Sequence, residues 1–519
     1  MGEALTQKIA IIGADPASFT CGMLLLHSGF QVEILESREQ LISCDLGLNL
    51  VFLPQILEEI FKTCGRSLED YLHLKRIDPI CSISFDSKSK LNIFQDFERN
   101  LGEMQKIFPN DLENFQKYFK DSDCMSRNFL KVWNKSLSKV GDLLDLDFLK
   151  VYSYLSPKSV EEVFSKQFRD LRLQQLLAFF SHSQGLAPVD CPAHLAFMPL
   201  VLQRFGVRYL MGGTNGLLKI LAKVFEELGG KIIFNAAVSK VEVQSKTVRA
   251  LRFENGWERK YSAVIFNGES FSKVSQIIEA SDRPSWSNAR LDKLAYSASA
   301  FVIQLRLNTI LPLELQTLLF SKNTQKNDEE IYKEFVIPRD PSIVISNPSR
   351  MDPGLAPKGK SLLTIMVLVP NLHSAIKWET EKAHFKNKIY SQILDHTAID
   401  LRALTEEEVI LTPHDLEEKF GFKYGGIFGL AQNLDQTLQM RPPNKIGDLS
   451  NLFVIGSGTH PGAGLAFELI SAQIGARLCK EELLKSRSHF EVPSFFRSMF
   501  KFSKPRKNVF EITSQNIKK

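Results

Sequence analysis

The stretch from Asn451 to Leu483 restricts the fold more than any other part of the chain. Leu452 to Ile455 is an apolar run of strand type, Gly456, Gly458, Gly462 and Gly464 punctuate a turn, and Leu465 to Leu478 carries a helical pattern. Four glycines within nine residues let a backbone pass close to a ligand, because no Cβ intervenes. The helix start behind them offers N–H groups and the positive end of a dipole. Strand, glycine turn and helix in that order form a cradle for a flat, anionic cofactor. Plain packing of a strand against a helix is the alternative reading of the same residues.

A second unit of this kind opens the chain. Lys8 to Ile12 reads as a buried strand, a helix follows from about Phe19 to Ser28, Gly29 stops it, and Gln31 to Glu36 is a second strand. That is a β-α-β unit of nucleotide-binding length. Glu36 ends the second strand, where a carboxylate accepts protons from an adenosine ribose. The glycine pattern G-x-G-x-x-G is met only at Gly13, because Asp15 and Ser18 take the other two places. A carboxylate about 4 Å from a phosphate is repelled by roughly 4 kcal/mol at an effective dielectric near 20. The loop therefore reads either as a handicapped nucleotide site or as a unit kept for packing.

With 519 residues the chain is too long for one core, and two or more domains are expected. No apolar run is long enough to span a bilayer, and Met1 to Lys8 lacks a secretory n-region. The seven cysteines are scattered without a C-x-x-C pair, which points to a reducing compartment and against a zinc site or disulfide framework; no metal ligand is nominated. The net charge of +5 is concentrated at the end: residues 485–519 carry nine Lys/Arg and two Glu, leaving the remainder near −2. The body has no basic surplus with which to bind nucleic acid.

Between these units, Pro54 to Cys64, Asp111 to Lys139 and Val160 to Phe180 read as helices, and Ile77 to Phe94 as strand-like patches. Ser181 to Leu202 is rich in apolar residues and prolines, suited to a core or to the lining of an apolar channel. Leu217 to Leu228 repeats at helical spacing and ends at Gly229-Gly230, and strands follow at Lys231 to Phe234, Val238 to Val243, Val248 to Phe253 and Tyr261 to Phe266. Further strands are expected at Ala300 to Leu307 and Ser361 to Val369, with a helix at Glu379 to Leu394.

Val207-Arg-Tyr-Leu-Met-Gly-Gly-Thr-Asn-Gly-Leu217, the strand Ala263-Val-Ile-Phe-Asn-Gly268 and the string Gly458-Thr-His-Pro-Gly-Ala-Gly464 together resemble the phytoene desaturase family of FAD-dependent carotenoid oxidoreductases. Asp45-Leu-Gly47 with Leu53-Pro and Leu57-Glu-Glu-Ile-Phe61 is similar to the stretch after that family's nucleotide motif. The resemblance covers nearly the whole chain to about Leu484. It implies an α/β fold in which a Rossmann-like FAD domain is assembled from residues 1–75, 205–295 and 440–484. An α+β substrate domain, residues 76–204 and 296–439, is inserted between those pieces. It also implies a hydride taken by the flavin from a long apolar isoprenoid polyene. Gly13 and Ala14 would lie under the pyrophosphate, Glu36 at the ribose and Val238 at the adenine end; Gly456, Gly458, Thr459, Gly462 and Gly464 would meet pyrophosphate and flavin. No catalytic side chain is nominated, because a flavin carries the hydride chemistry. His460, in the family string, is expected to shape the turn, and His182 and His194 to be ordinary satisfied or solvent-facing histidines.

The family's Gly-Gly-Arg segment is missing: only Ser37-Arg-Glu-Gln-Leu-Ile-Ser-Cys44 separates Glu36 from Asp45, so weakened FAD binding is expected. A flavin-dependent polyene isomerase and a cofactor-free scaffold are the rival functions. The tail, residues 485–519, interleaves Phe495, Phe496, Met499, Phe500 and Phe502 with Arg497, Lys501, Lys504, Arg506 and Lys507. Aromatic side chains at a headgroup boundary with cations against anionic lipid make a peripheral membrane contact, here expected on the cytoplasmic side. The sequence leaves the oligomeric state open.

Overall fold

The computed structural model describes residues 7–42, 46, 49–137, 158–268 and 273–488. Asp45, Gly47 and the aromatic-basic tail, Phe495 to Lys507, lie outside them.

Five short strands, apolar on both faces, assemble as a parallel sheet, the pattern expected when helices cover both sides. They are β1 (Lys8–Ile12), β2 (Gln31–Leu35), β3 (Lys231–Ile233), β4 (Ala263–Asn267) and β5 (Leu452–Ile455), in the order β5-β4-β1-β2-β3. Register is continuous across the centre: Ile12 lies beside Leu35 on one side and Phe266 on the other, and Asn267 beside Ile455. Helices α1 (Pro16–His27), α2 (Gly213–Glu227) and α3 (Leu465–Ser488) pack with this sheet. Gly22 permits a close α1–α2 crossing, since a Cβ there would sit 2.6 Å from the Phe225 ring. The α/β expectation is met, with two changes of boundary. Helix α1 begins at Pro16 rather than Phe19, because Asp15 caps it and Pro is favoured in a first turn. Helix α3 continues to Ser488, ten residues past the end read from the sequence.

The second layer is a seven-stranded mixed sheet built around Ser299–Leu307 and Ser361–Val369, which pair antiparallel over nine residues. Its one parallel pairing joins Gln316–Leu319 to Cys81–Ser84. The helix Trp378–Thr397 covers it, burying Trp378, Phe385, Ile389 and Ile393 against Phe301 and Ile303. A helical layer contains Leu112–Trp133 and Met198–Phe205, with an aromatic core in which Phe129 stacks on Phe197 at 4.6 Å. Trp133 meets Phe467 of α3 edge-on at 4.6 Å, joining this layer to the parallel-sheet unit. The single helix expected over 160–180 is instead two, Val160–Gln167 and Leu171–Ala178. Phe168 is extended, and the buried Asp111 carboxylate accepts from the N–H groups of Arg169 and Asp170, both at 2.8 Å, holding the break open. The long helix ends at Trp133, short of Lys139.

Among the described residues no helix is long and apolar enough to cross a membrane, no cluster of metal-ligating side chains occurs, and the five described cysteines are unbridged.

Candidate functional site

The C-terminal edge of the parallel sheet gathers the residues singled out in the sequence. Open α/β sheets bind ligands at this edge, where strand order reverses about the first strand. Gly13 leaves β1 with φ of +96° and donates its N–H to Leu35 O at 2.8 Å, which turns the chain tightly toward α1. Asp15 is extended (φ −136°, ψ 178°) and its Oδ1 accepts the Ser18 N–H at 2.7 Å. Glu36, 6% exposed, accepts from Ala14 N–H through Oε2 and from Arg38 N–H through Oε1, each at 3.0 Å. Its backbone binds Ile233 O and Ala236 N–H, so Glu36 and the strand that begins at Val238 share this edge.

Burial lifts the Asp15 carboxyl above its ordinary pKa and the nearby Glu36 carboxylate adds to the rise, against the Ser18 backbone, the Ser18 hydroxyl and the Asn267 side chain. Asn267 ends β4 and lies 3.4 Å from where a Gly13 Cβ would be. Gly268 follows, and its carbonyl would be 1.7 Å from a Cβ on Gly458. The two halves of the site are therefore contiguous, from the β1 loop through the end of β4 to the glycine turn.

Within that turn most polar groups are tied to the chain itself. Thr459 Oγ1 donates to Gly456 O at 3.1 Å and lies 2.9 Å from Ser471 Oγ, which accepts the Gly456 N–H at 3.1 Å. Asn444, fully buried, donates to Ser471 Oγ at 2.8 Å and to His460 O at 3.0 Å. Gly462 faces the Gln432 amide, 2.2 Å from where its Cβ would stand. Gly464 alone among these glycines is exposed with open space at its Cβ position. The close approaches allowed at Gly458 and Gly462 are thus to Gly268 and Gln432. His460 is buried beside Arg441, and burial lowers its pKa to about 4, so it is neutral at pH 7.

One feature escaped the sequence reading, and a second was legible only in part. Arg441 is buried with no carboxylate against it among the described residues; its guanidinium donates to the carbonyls of Thr459 (2.8 Å), Ser457 (2.6 Å), Leu430 (3.1 Å), Gln436 (3.2 Å) and Ala431 (3.4 Å). It ties the glycine turn to the 430–436 segment. The sequence signals nothing beyond an arginine before two prolines. The second is a cavity of about 470 Å³ whose lining includes Gly185, Leu186, Tyr296, Tyr332 and Ala431; Gly185 and Leu186 fall in the 181–202 stretch read as core or channel lining, and the other three come from segments that stretch gave no hint of. Ala431 and Asn433 of its lining flank Gln432, which faces Gly462 and whose Nε2 donates to Gln184 Oε1 at 2.6 Å. Val189, Phe335 and Leu434 on its rim are 41%, 39% and 50% exposed. Of the other histidines, His182 pairs with Asp328 at 2.9 Å, and His194 is buried 3.4 Å from Thr437 Oγ1.

The frame suits a flat dinucleotide: a glycine turn out of β1, an acid at the end of β2 and an open Gly464. The pyrophosphate position does not, because a dinucleotide lays its phosphates on the first helix N-terminus and Asp15 already holds an anion there.

The sequence profile described as flavin-containing amine oxidoreductase matches residues 51–468. A 4,4'-diapophytoene desaturase (4,4'-diapolycopene-forming) of Methylomonas sp. is 28% identical over 496 residues, 92% of this chain and 96% of that protein. A zeta-carotene-forming phytoene desaturase of Myxococcus xanthus is 26% identical, over 90% and 93% of the two chains. Among solved structures, an oxidoreductase from Methanosarcina mazei superposes with a TM-score of 0.62 at 15% identity, covering 91% of this chain and all of that one. The cyclohexylamine oxidase of Brevibacterium oxydans gives 0.57 at 10% identity, covering 92% and 100%. With most of its length inside the profile, the chain belongs to the flavin-containing amine oxidoreductase family.

Proposed function

We propose that the protein is an FAD-dependent oxidoreductase of the carotenoid-desaturase type, removing a hydride and, from the neighbouring carbon, a proton released to solvent, so that a long apolar isoprenoid gains a C=C bond. The observation that carries this reading is the cavity behind the glycine turn, with an apolar rim at Val189, Phe335 and Leu434 and a wall one amide pair away from Gly462. An apolar chain crossing that rim gains about 25 cal/mol for each Å² withdrawn from water. The names of the two full-length relatives, which desaturate phytoene or 4,4'-diapophytoene, support the same substrate class.

In this reading Gly13 and Ala14 lie at the cofactor's pyrophosphate, Glu36 at its ribose and Val238 at its adenine end; Gly464 faces the flavin end, while Gly456, Gly458, Thr459 and Gly462 hold the shape of that turn through Ser471, Gly268 and Gln432. A flavin supplies, when bound, the hydride acceptor. The chain's own part is positional. Arg441 fixes the turn against the 430–436 segment, and the Gln184–Gln432 pair holds that segment beside the cavity. The aromatic-basic tail, Phe495 to Lys507, holds the protein at the cytoplasmic face of a membrane in which such a substrate dissolves.

Liposomes loaded with phytoene or 4,4'-diapophytoene, mixed with the full chain and FAD, are expected to yield products absorbing at longer wavelength. Truncation after Ser488 is expected to shift the protein from the liposome pellet to the supernatant. A sample shown to hold FAD that leaves both hydrocarbons unchanged ends the redox reading. A cofactor-free isoprenoid-binding protein is the second reading, favoured by the Asp15 carboxylate at the α1 N-terminus; it predicts a colourless protein that still takes up the polyene.

A further inference from the structure

We infer that Asp15 is a built-in competitor of the cofactor's pyrophosphate, so that the nucleotide loop accepts a dinucleotide only when Asp15 is uncharged or has left the helix N-terminus. The inference rests on the reading that a dinucleotide binds at this loop, and it concerns how that site is controlled.

The backbone donors of the loop are largely taken. Between residues 13 and 19 there are six N–H groups, Pro16 having none, and four are already bonded within the chain. Gly13 donates to Leu35 O, Ala14 to Glu36 Oε2, Ser18 to Asp15 Oδ1 and Phe19 to Asp15 O. Those of Asp15 and Ala17 have no partner among the described residues. A helix N-terminus draws anions because its first N–H groups lack partners and its dipole end is positive. Here one of those donors and the dipole are both answered by the chain's own carboxylate, at 2.7 Å. The link is local, three residues in length, and needs no ligand to form.

Charge points the same way. Glu36 packs close enough to Asp15 to raise its pKa, and a phosphate would be a third anion in that space. Among the described residues the side chains facing Asp15 bring no cation: Ser18 and Cys21 from α1, Glu36 from the end of β2 and Asn267 from the end of β4. Arg38, the nearest arginine in sequence, points its guanidinium at Phe420 O, 3.4 Å away. Loss of a proton from Asp15 therefore favours the self-capped loop, and gain of one lowers the barrier to the phosphate.

Asp15→Asn tests this directly, because Asn caps a helix as well as Asp and carries no charge. Asp15→Ser, another good cap, is the second variant should the first fold poorly. FAD is titrated into flavin-free full-length protein and its fluorescence quenching followed at pH 8.0 and pH 5.5, with no substrate present. At pH 8.0 either variant is expected to bind FAD at least tenfold more tightly than the wild type, about 1.4 kcal/mol. The gap is expected to narrow as the pH is lowered, since burial and Glu36 raise the Asp15 pKa and the wild type sheds the same charge on taking up a proton. Dissociation constants within twofold of one another at pH 8.0 for the wild type and a folded variant would overturn the proposal. The outcome is separable from the oxidoreductase reading. Tight FAD binding by the variant with no polyene oxidised leaves Asp15 as the competitor and removes the proposed reaction, whereas a wild type already saturated with FAD does the reverse.

Discussion

Arg441 is the most consequential side chain of the site that touches no charge. Five carbonyl oxygens share its guanidinium, and burial lowers its pKa to about 9, which leaves it protonated at neutral pH. Replacing it with Met removes the donors and strands those carbonyls; a loss on the order of 3 kcal/mol is expected in urea unfolding at pH 7.5. Arg441→Lys should recover a minor part, because an ammonium cannot reach five acceptors in a plane. An unchanged midpoint for Arg441→Met would show that the clamp carries no stability. Asp15 and Glu36 were conspicuous in the sequence because they stand at fixed offsets from Gly13, and a local pattern is enough to find them. Arg441 was not, since its partners lie up to 18 residues away and are backbone atoms that any sequence supplies.

Local pattern also gave the elements their type, and packing then set their limits. Strands β1, β2 and β5 fall where their apolar runs lie, and the 299–307 and 361–369 strands have almost the bounds read for them, while their antiparallel pairing is given by the structure. Helix α1 gained a turn from the Asp15 cap, while the 160–180 stretch was cut in two by Asp111, a residue some 58 positions upstream. Glycine in a helix separates the two influences cleanly. Gly475 of α3 lies over β5, and a Cβ there would be 2.3 Å from Ile455 Cγ2, which is fully buried. Gly475→Val is expected to destabilise by about 1–3 kcal/mol through overpacking. Gly102, exposed within the helix Phe97–Ile107, has nothing within 4 Å of its Cβ position, so Gly102→Ala should stabilise by about 0.5–1 kcal/mol from helix propensity alone. Thermal melts of the two variants moving in the same direction would refute this account of the α3–β5 contact.

The layers themselves meet through buried neutral groups. His194, stacked on Phe129 at 5.4 Å, sits where the helical layer touches the segment beside the cavity, and His460 where it touches the glycine turn. Burial lowers both pKa values from 6.5 to about 4. Each folded pKa lies below the unfolded one, so the stability these groups contribute is complete above pH 6.5 and is lost as pH falls toward 4. By pH 5 each withdraws on the order of 2 kcal/mol. Urea midpoints measured at pH 7.5 and pH 5.0 should show that fall, reduced in His194→Gln; an equal fall in both proteins would exclude His194 as a source. Seen across the molecule, the chain order of residues was sufficient for the α/β class, for both nucleotide-type units and for the charge conflict at Asp15, because each depends on neighbours within a few turns of chain. What the tertiary structure decided was the use of those pieces. Gly458 and Gly462 approach Gly268 and Gln432, the Thr459 hydroxyl turns inward to Ser471, and a cavity opens behind Gln432. These contacts reach from 12 residues along the chain, Thr459 to Ser471, to 248, Gln432 to Gln184, and close packing between such segments is fixed by shape in three dimensions, which periodicity along a chain does not encode.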